Sequence, residues 1–310
     1  MVATPIDPDP VLSTTEVGRL FDVHPSTVKR WCDRGRLSFS RTRGGHRRIP
    51  LSEALLRARQ EGIAMPLHAF GEDAGAVWEV TLAAADRDDY GPARTLAVGW
   101  LEAGEFEAIG DLIVHLGRQP TVDLSRLFDE GVRDFMREVG RRWEEGRLSV
   151  GEEHLLSETM SEALHCLRHR TSRERALRDG APVAVIGCAD GERHDLGARC
   201  VQIALEETGW RVRFLGADVP MEEWTALQRE TRAALVGVSF SPLRAPADVL
   251  RCVRRLSEDY DPDRPHLLAL GGGAAVDPSL SSPGPFQDLR YFTGTGDLLR
   301  WLAVSGSGTA

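Results

Sequence analysis

The sequence predicts a multidomain chain with three fold types in succession: a winged helix-turn-helix, a helical bundle, and a doubly wound parallel α/β sheet. Three observations carry this prediction. Residues 11–62 hold two short helical patterns and an alternating segment tipped by Gly44-Gly45. Residues 76–177 repeat apolar positions at helical spacing, with breaks at Gly91-Pro92, Ala103-Gly104 and Gln119-Pro120. From Pro182 onward, the runs VAVIG, VRFLG, ALVGVSF and HLLALGG alternate with helical segments. Runs that are apolar throughout suit parallel strands covered on both faces. The expected boundaries are a disordered N-terminus at 1–10, the winged module at 11–65, a linker at 66–75, the bundle at 76–178, the sheet domain at 179–304 and a tail at 305–310.

Bulk composition agrees with that division. At 310 residues, 42% hydrophobic and 27% charged, the chain is globular and long enough for two or three domains. Its net charge is -9, but residues 11–62 contain eleven Lys and Arg against five Asp and Glu, a local +6 that leaves -15 elsewhere. Only the front end is therefore attractive to phosphate. No run of about 18 apolar residues occurs and the start lacks a signal-peptide pattern, so a cytoplasmic protein without membrane contact is expected. The five cysteines, Cys32, Cys166, Cys188, Cys200 and Cys252, show no disulfide or zinc spacing and are expected to be buried thiols.

In the first module, Thr15 to Phe21 forms a short helical pattern, and Asp22-Val23-His24-Pro25 turns into a second from Ser26 to Trp31, with Ser26 as the expected N-cap. Val17, Leu20, Val28 and Trp31 form a small core between the crossed helices. Thr27, Lys29 and Arg30 are left on the outer face of the second, where they can enter a major groove. The hairpin from Leu37 to Pro50 places Arg43, His46, Arg47 and Arg48 beside its tip, positioned to grip phosphate. A surface hairpin with merely solvated charges is the plainer reading of that segment alone.

Helices are expected in the second piece at 76–90, 92–102, 105–116, 123–145 and 150–173. In the third, Glu192-Arg193-His194-Asp195-Leu196-Gly197 follows the first strand, at the sheet edge where ligands of open parallel sheets gather. An imidazole there can ligate a transition metal, and an acidic neighbour can orient it. Leu215-Gly216-Ala217-Asp218-Val219-Pro220, Gly237-Val238-Ser239-Phe240-Ser241 and Leu270-Gly271-Gly272-Gly273 follow the later strands. Gly187 to Gly191 is not a GxGxxG, which argues against a dinucleotide site.

Residues 12–62 resemble the MerR family through TxEVxRLFxVxxxTVxRWxxxGxL and RTxGGHRRI, and that resemblance implies binding to a double-stranded DNA operator as a dimer or larger assembly. The third piece is similar to the Rossmann-like cobalamin-binding domain of methionine synthase and base-off corrinoid proteins, whose motif is DxHxxG, then small strand ends, then GG. The resemblance implies that His194 is the lower axial ligand of cobalt, with Glu192 replacing the usual Asp. It also implies that Gly197, Ser239, Ser241, Gly271 and Gly272 line the path of the nucleotide tail. Adding Trp143-Glu144 and Glu153-His154 of the bundle, nearly the whole chain resembles the light-responsive CarH and LitR group. In that group the Trp packs over the upper ligand of adenosylcobalamin, so Trp143, Val150, Glu153 and His154 are the implied upper pocket.

These resemblances imply a non-enzymatic repressor whose homo-oligomer, a dimer or tetramer, forms with adenosylcobalamin or methylcobalamin and rearranges when light breaks the cobalt-carbon bond. Loss of the upper group is expected to let the bundle shift against the sheet domain. Glu144 stands where the group has a histidine that takes the vacated position, so cobalamin sensing without light, or sensing of another chromophore, is the rival reading. A corrinoid methyl-transfer protein is a further one, against which the basic head argues.

Overall fold

The computed structural model describes residues 9–175, 180–272 and 284–305, and its contacts divide the chain into two units, Met1–Gly99 and Trp100–Ala310. Residues 1–8 of the expected disordered N-terminus, residues 306–310 of the expected tail, and Gly273 lie outside the described residues. Among the described residues no helix is long and apolar enough to cross a membrane.

In the first unit, helix α1 (Thr14–Leu20) starts with a reciprocal cap: Ser13 Oγ accepts the Glu16 N–H while Glu16 Oε2 accepts the Ser13 N–H at 2.6 Å. Helix α2 (Pro25–Asp33) is capped by His24, not by Ser26 as expected; His24 Nδ1 accepts the Ser26 N–H at 3.2 Å. Pro25 explains the difference, because its missing N–H and fixed φ suit the first helical position. A Cβ on Gly18 would lie 2.7 Å from the Val23 carbonyl oxygen, so glycine lets the turn close against α1. Val17 and Val28 are fully buried, whereas Leu20 and Trp31 are half-buried, and Phe21 packs edge-on to Trp31 at 5.2 Å.

The wing is antiparallel in the order β1-β3-β2, from β1 (Val11–Leu12), β2 (Ser40–Arg41) and β3 (Arg47–Pro50), with Gly45 in the left-handed region at its tip. Asp9 and Pro10, expected to be disordered, are bound instead. Pro10 O accepts the Leu51 N–H, and the Asp9 carboxylate accepts the N–H and hydroxyl of Ser52, satisfying first-turn donors of α3 (Leu51–Gln60). Across the expected linker, 3-10 turns at Pro66–Asp73, broken at Gly71, lead into α4 (Ala74–Arg87). Helix α5 (Gly91–Ala103) follows.

The second unit continues with α6 (Phe106–Gly117), a short α7 (Leu124–Arg126), a π-helical segment Leu127–Arg133, α8 (Asp134–Glu144) and the long α9 (Val150–Arg175). The sheet then builds from β4 (Val183–Cys188), α10 (Leu196–Glu207), β5 (Arg211–Gly216), α11 (Met221–Thr231), β6 (Leu235–Phe240), α12 (Pro246–Glu258), β7 (Leu267–Gly272), β8 (Asp288–Phe292) and α13 (Thr295–Ser305). All five strands are parallel in the order β5-β4-β6-β7-β8. One face packs Trp224, Val249, Cys252 and Leu256 of α11 and α12, and the other packs Ala198, Leu205, Leu298 and Trp301 of α10 and α13. The sheet is therefore wound on both sides, as predicted. Strand β8 was not anticipated, because Asp288 and Arg290 interrupt the apolar run; an edge strand can present such charges to solvent.

Two bonded links hold the preceding helices to the sheet domain. The Asp129 carboxylate of the π-helical segment accepts the Thr295 and Gly296 N–H groups at 2.7 and 3.0 Å, capping α13, and Arg133 donates to the Thr293 carbonyl at 2.8 Å. Arg168 of α9 pairs with the buried Glu206 of α10 through three hydrogen bonds. Of the cysteines, Cys32, Cys188, Cys200 and Cys252 are buried, but Cys166 is exposed, because it lies on the outward stripe of α9.

Candidate functional site

Strands β5 and β6 lie on opposite sides of β4, so the connections leaving β4 and β6 diverge and open a crevice at their C-terminal ends. The segment 189–195 after β4 and Ser239 to Ser241 at the end of β6 border it. Glu192 is only 2% exposed, and its carboxylate is fully engaged. Oε1 accepts the His194 N–H at 2.9 Å and faces His194 Nδ1 at 2.7 Å, while Oε2 accepts the Ser241 N–H at 2.9 Å. Burial pushes this carboxyl up, but the hydrogen bonds from His194 and Ser241 outweigh it and hold it below the usual range. No water is needed between Glu192 and His194: the longer side chain reaches the ring directly.

A buried carboxylate facing Nδ1 places the imidazole proton there and leaves the Nε2 lone pair outward. The His194 side chain is 63% exposed, so that lone pair faces open space. Among the described residues no group of three or more His, Cys, Asp or Glu gathers to hold a metal ion. A single oriented imidazole fits a metal whose other positions are already filled by a macrocycle. The Cys188 thiol, 3.6 Å from the His194 carbonyl oxygen, is pushed up to about 12 by burial and stays protonated.

The glycines along the crevice divide into two kinds. At Gly272, with φ +104°, a Cβ would overlap the Phe240 carbonyl, so the sheet itself requires glycine. At Gly197 and Gly271 a Cβ would meet only ordinary contacts, 3.8 Å to Ser239 Oγ and 3.5 Å to the Phe292 carbonyl oxygen. The fold does not demand glycine at these two positions, which leaves bare backbone along the path a ligand would take. Ser239 is half-buried beside Gly197, whereas Ser241 is buried against Glu192.

Trp143 lies in the last turn of α8 and Val150, Glu153 and His154 in the first turns of α9, on either side of a turn where Gly146 adopts φ +68°. Trp143 and Val150 are 44% and 55% exposed, too much for core anchors. Glu153 accepts the Ser157 hydroxyl at 2.8 Å and lies 3.6 Å from the exposed His154 ring. Helix α9 begins with a capping box between Ser149 and Glu152 that sequence inspection missed, although Ser-Val-Gly-Glu carries its signature. Glu144 is exposed beside Trp143.

On the basic module, Lys29 and Arg30 are exposed on α2, and Thr27 Oγ1 accepts from Arg30 at 3.0 Å. Arg43 and His46 are exposed at the wing. Arg47 is different: its side chain is 16% exposed, ion-paired to Asp33 and stacked 5.4 Å over Phe39, so it braces the wing against α2. Arg48 is half-buried and donates to the Arg47 carbonyl. Exposed Arg34 and Arg36, just beyond α2, extend the basic face and were not singled out from the sequence.

Residues 182–288 match the family described as B12 binding domain, residues 101–168 match a second family of that description, and residues 11–53 match a helix-turn-helix domain. The chain is 32% identical over 150 residues to the HTH-type transcriptional repressor CarH of Myxococcus xanthus, covering 48% of each chain. It is 30% identical over 152 residues to the HTH-type transcriptional repressor CarA of the same organism, covering 49% of this chain and 48% of the relative. It thus spans about half the length of the curated relatives it matches. A solved monomethylamine corrinoid protein of Methanosarcina barkeri shares the fold with a TM-score of 0.52 at 20% identity, over 66% of this chain and 95% of that one.

Proposed function

We propose that this chain is a cobalamin-dependent, light-responsive transcriptional repressor that binds its DNA operator as a homo-oligomer. The observation that carries the proposal is the exposed His194 imidazole, held by buried Glu192 at the border of a sheet crevice that also carries glycines the fold does not need. In this reading His194 would hold the cobalt of a bound cobalamin, Gly197, Ser239 and Gly271 would admit its nucleotide tail, and Ser241 holds Glu192. Trp143, Val150, Glu153 and His154 form the apolar and polar cover of the upper face. Adenosylcobalamin, when bound, supplies a cobalt-carbon bond that light breaks.

The chain's own residues then set the response. Because Asp129, Arg133 and Arg168 tie the α7 to α9 region to the sheet domain, a shift of that whole region would break several hydrogen bonds. The exposed helix ends carrying Trp143 and Val150, which those bonds do not tie to the sheet domain, are where a rearrangement would alter pairing between subunits. DNA affinity falls when fewer basic modules are tethered together. Lys29, Arg30, Arg43 and His46 meet the operator, with Thr27 and Arg48 at the margin of that face.

Glu144 favours a second reading, a cobalamin sensor that does not use light, since a carboxylate is a poorer partner than imidazole for the vacated position. Absorption spectra and sedimentation of the full chain with adenosylcobalamin and methylcobalamin, before and after green light, separate the two. The first reading expects both corrinoids to bind through His194, loss of that spectrum in His194→Ala, and a light-dependent change in mass with adenosylcobalamin. Failure of the wild type to bind either corrinoid refutes both.

A further inference from the structure

We infer that Asp218 and Arg244, from the loops on either side, are positioning residues that clamp the segment 189–195 and thereby set where the His194 imidazole stands; this rests on the cobalamin reading above. The segment leaves β4 and crosses the crevice before α10 begins, with a turn of its own closed by the Glu192 N–H on the Ala189 carbonyl at 2.9 Å. Neighbours on both sides also hold its backbone. From the β5 side, Asp218 accepts the Gly191 N–H through Oδ1 at 2.7 Å and returns its own N–H to the Glu192 carbonyl at 2.8 Å. From the β6 side, Arg244 donates to the Asp190 carbonyl at 2.6 Å, and its guanidinium lies where a Gly191 Cβ would be 3.2 Å away.

Three consecutive residues, Asp190, Gly191 and Glu192, are thus held from opposite directions immediately before the site. Gly191 and Asp218 both adopt left-handed conformations, at φ +73° and +53°, which bend the two loops toward each other. The consequence is the reversal that buries Glu192 and exposes His194 two residues later. A bond to a carboxylate or guanidinium at a partly solvated loop is worth roughly 3- to 10-fold in local opening. Losing both tethers is expected to cost about 10- to 100-fold.

The test uses the full chain with Asp218→Gly, which keeps the left-handed backbone available while removing the carboxylate, Asp218→Asn, which keeps an acceptor, Arg244→Met, and the Asp218→Gly/Arg244→Met pair. In the protein without corrinoid, amide exchange at Gly191 and Glu192 is expected to quicken about 3- to 10-fold in each removal variant and further in the pair, with Asp218→Asn near wild type. With methylcobalamin, the same order is expected in the fraction showing the imidazole-bound spectrum. Unchanged exchange at Gly191 in the pair, or an undiminished imidazole-bound fraction alongside faster exchange, overturns the inference. Should wild type bind no corrinoid, the functional reading fails, while the exchange measurement still decides whether the clamp exists.

Discussion

Removing the Asp129 carboxylate is expected to unfasten α13 from the helices that precede the sheet domain. The side chain is 19% exposed and accepts two N–H groups whose own residues are buried, Thr295 being 5% exposed. Loss of a helix cap costs about 0.5–2 kcal/mol, and a hydrogen bond to a charged group about 1.5–3 kcal/mol. Two such bonds sharing one carboxylate, with their donors stranded, place Asp129→Ala at roughly 2–4 kcal/mol of destabilisation. Asp129→Asn retains one acceptor and is expected to lose about half of that. Because 1.4 kcal/mol corresponds to a factor of ten, amide exchange at Thr295 and Gly296 should quicken by about 30-fold to several hundred-fold in the alanine variant. Gly294→Ala offers a check from the other side, since its Cβ would fall 2.7 Å from Asp129 Oδ2 and displace the carboxylate. A loss below about 0.5 kcal/mol in urea denaturation, with exchange along α13 unchanged, would refute the cap.

Three further perturbations test other parts of the structure. Gly272→Ala is expected to lower stability by roughly 3 kcal/mol or more, through the left-handed backbone and the overlap with Phe240, whereas Gly197→Ala and Gly271→Ala should stay within about 0.5 kcal/mol yet weaken corrinoid binding; thermal melts and titrations decide. His115 is pushed down to about 4 from 6.5 by burial, with Arg118 adding to the shift. Between those values the unfolded chain binds the proton and the folded one does not, so stability should fall as pH drops from 6.5 toward 4, by roughly 3 kcal/mol in all, and His115→Leu should flatten that slope in urea titrations. Arg47→Met should lower the melting temperature of the first unit by removing the strut to Asp33, while Lys29→Ala should leave stability alone and reduce the salt dependence of DNA binding by about one phosphate contact.

The sequence made most of the architecture legible because its signals are periodic and local. Alternation of apolar runs with helical stretches located four of the five parallel strands, and the Gly44-Gly45 tip located the wing. Strand β8 escaped because an edge strand is not obliged to be apolar. The His24 cap and the binding of Asp9 to α3 escaped for a related reason: each depends on which donor a neighbouring segment leaves unsatisfied, a property of the assembled fold.

At the candidate site the division is similar. His194 and Glu192 could be read directly, since their spacing and their place after the first strand are local facts. Only the folded chain decided that Ser241 supports Glu192 from behind, that Arg47 braces the wing, and that Gly272 answers to the sheet while Gly197 and Gly271 do not. Those roles depend on contacts between residues up to about fifty positions apart, and short-range pattern carries no information about which distant backbone a side chain will meet.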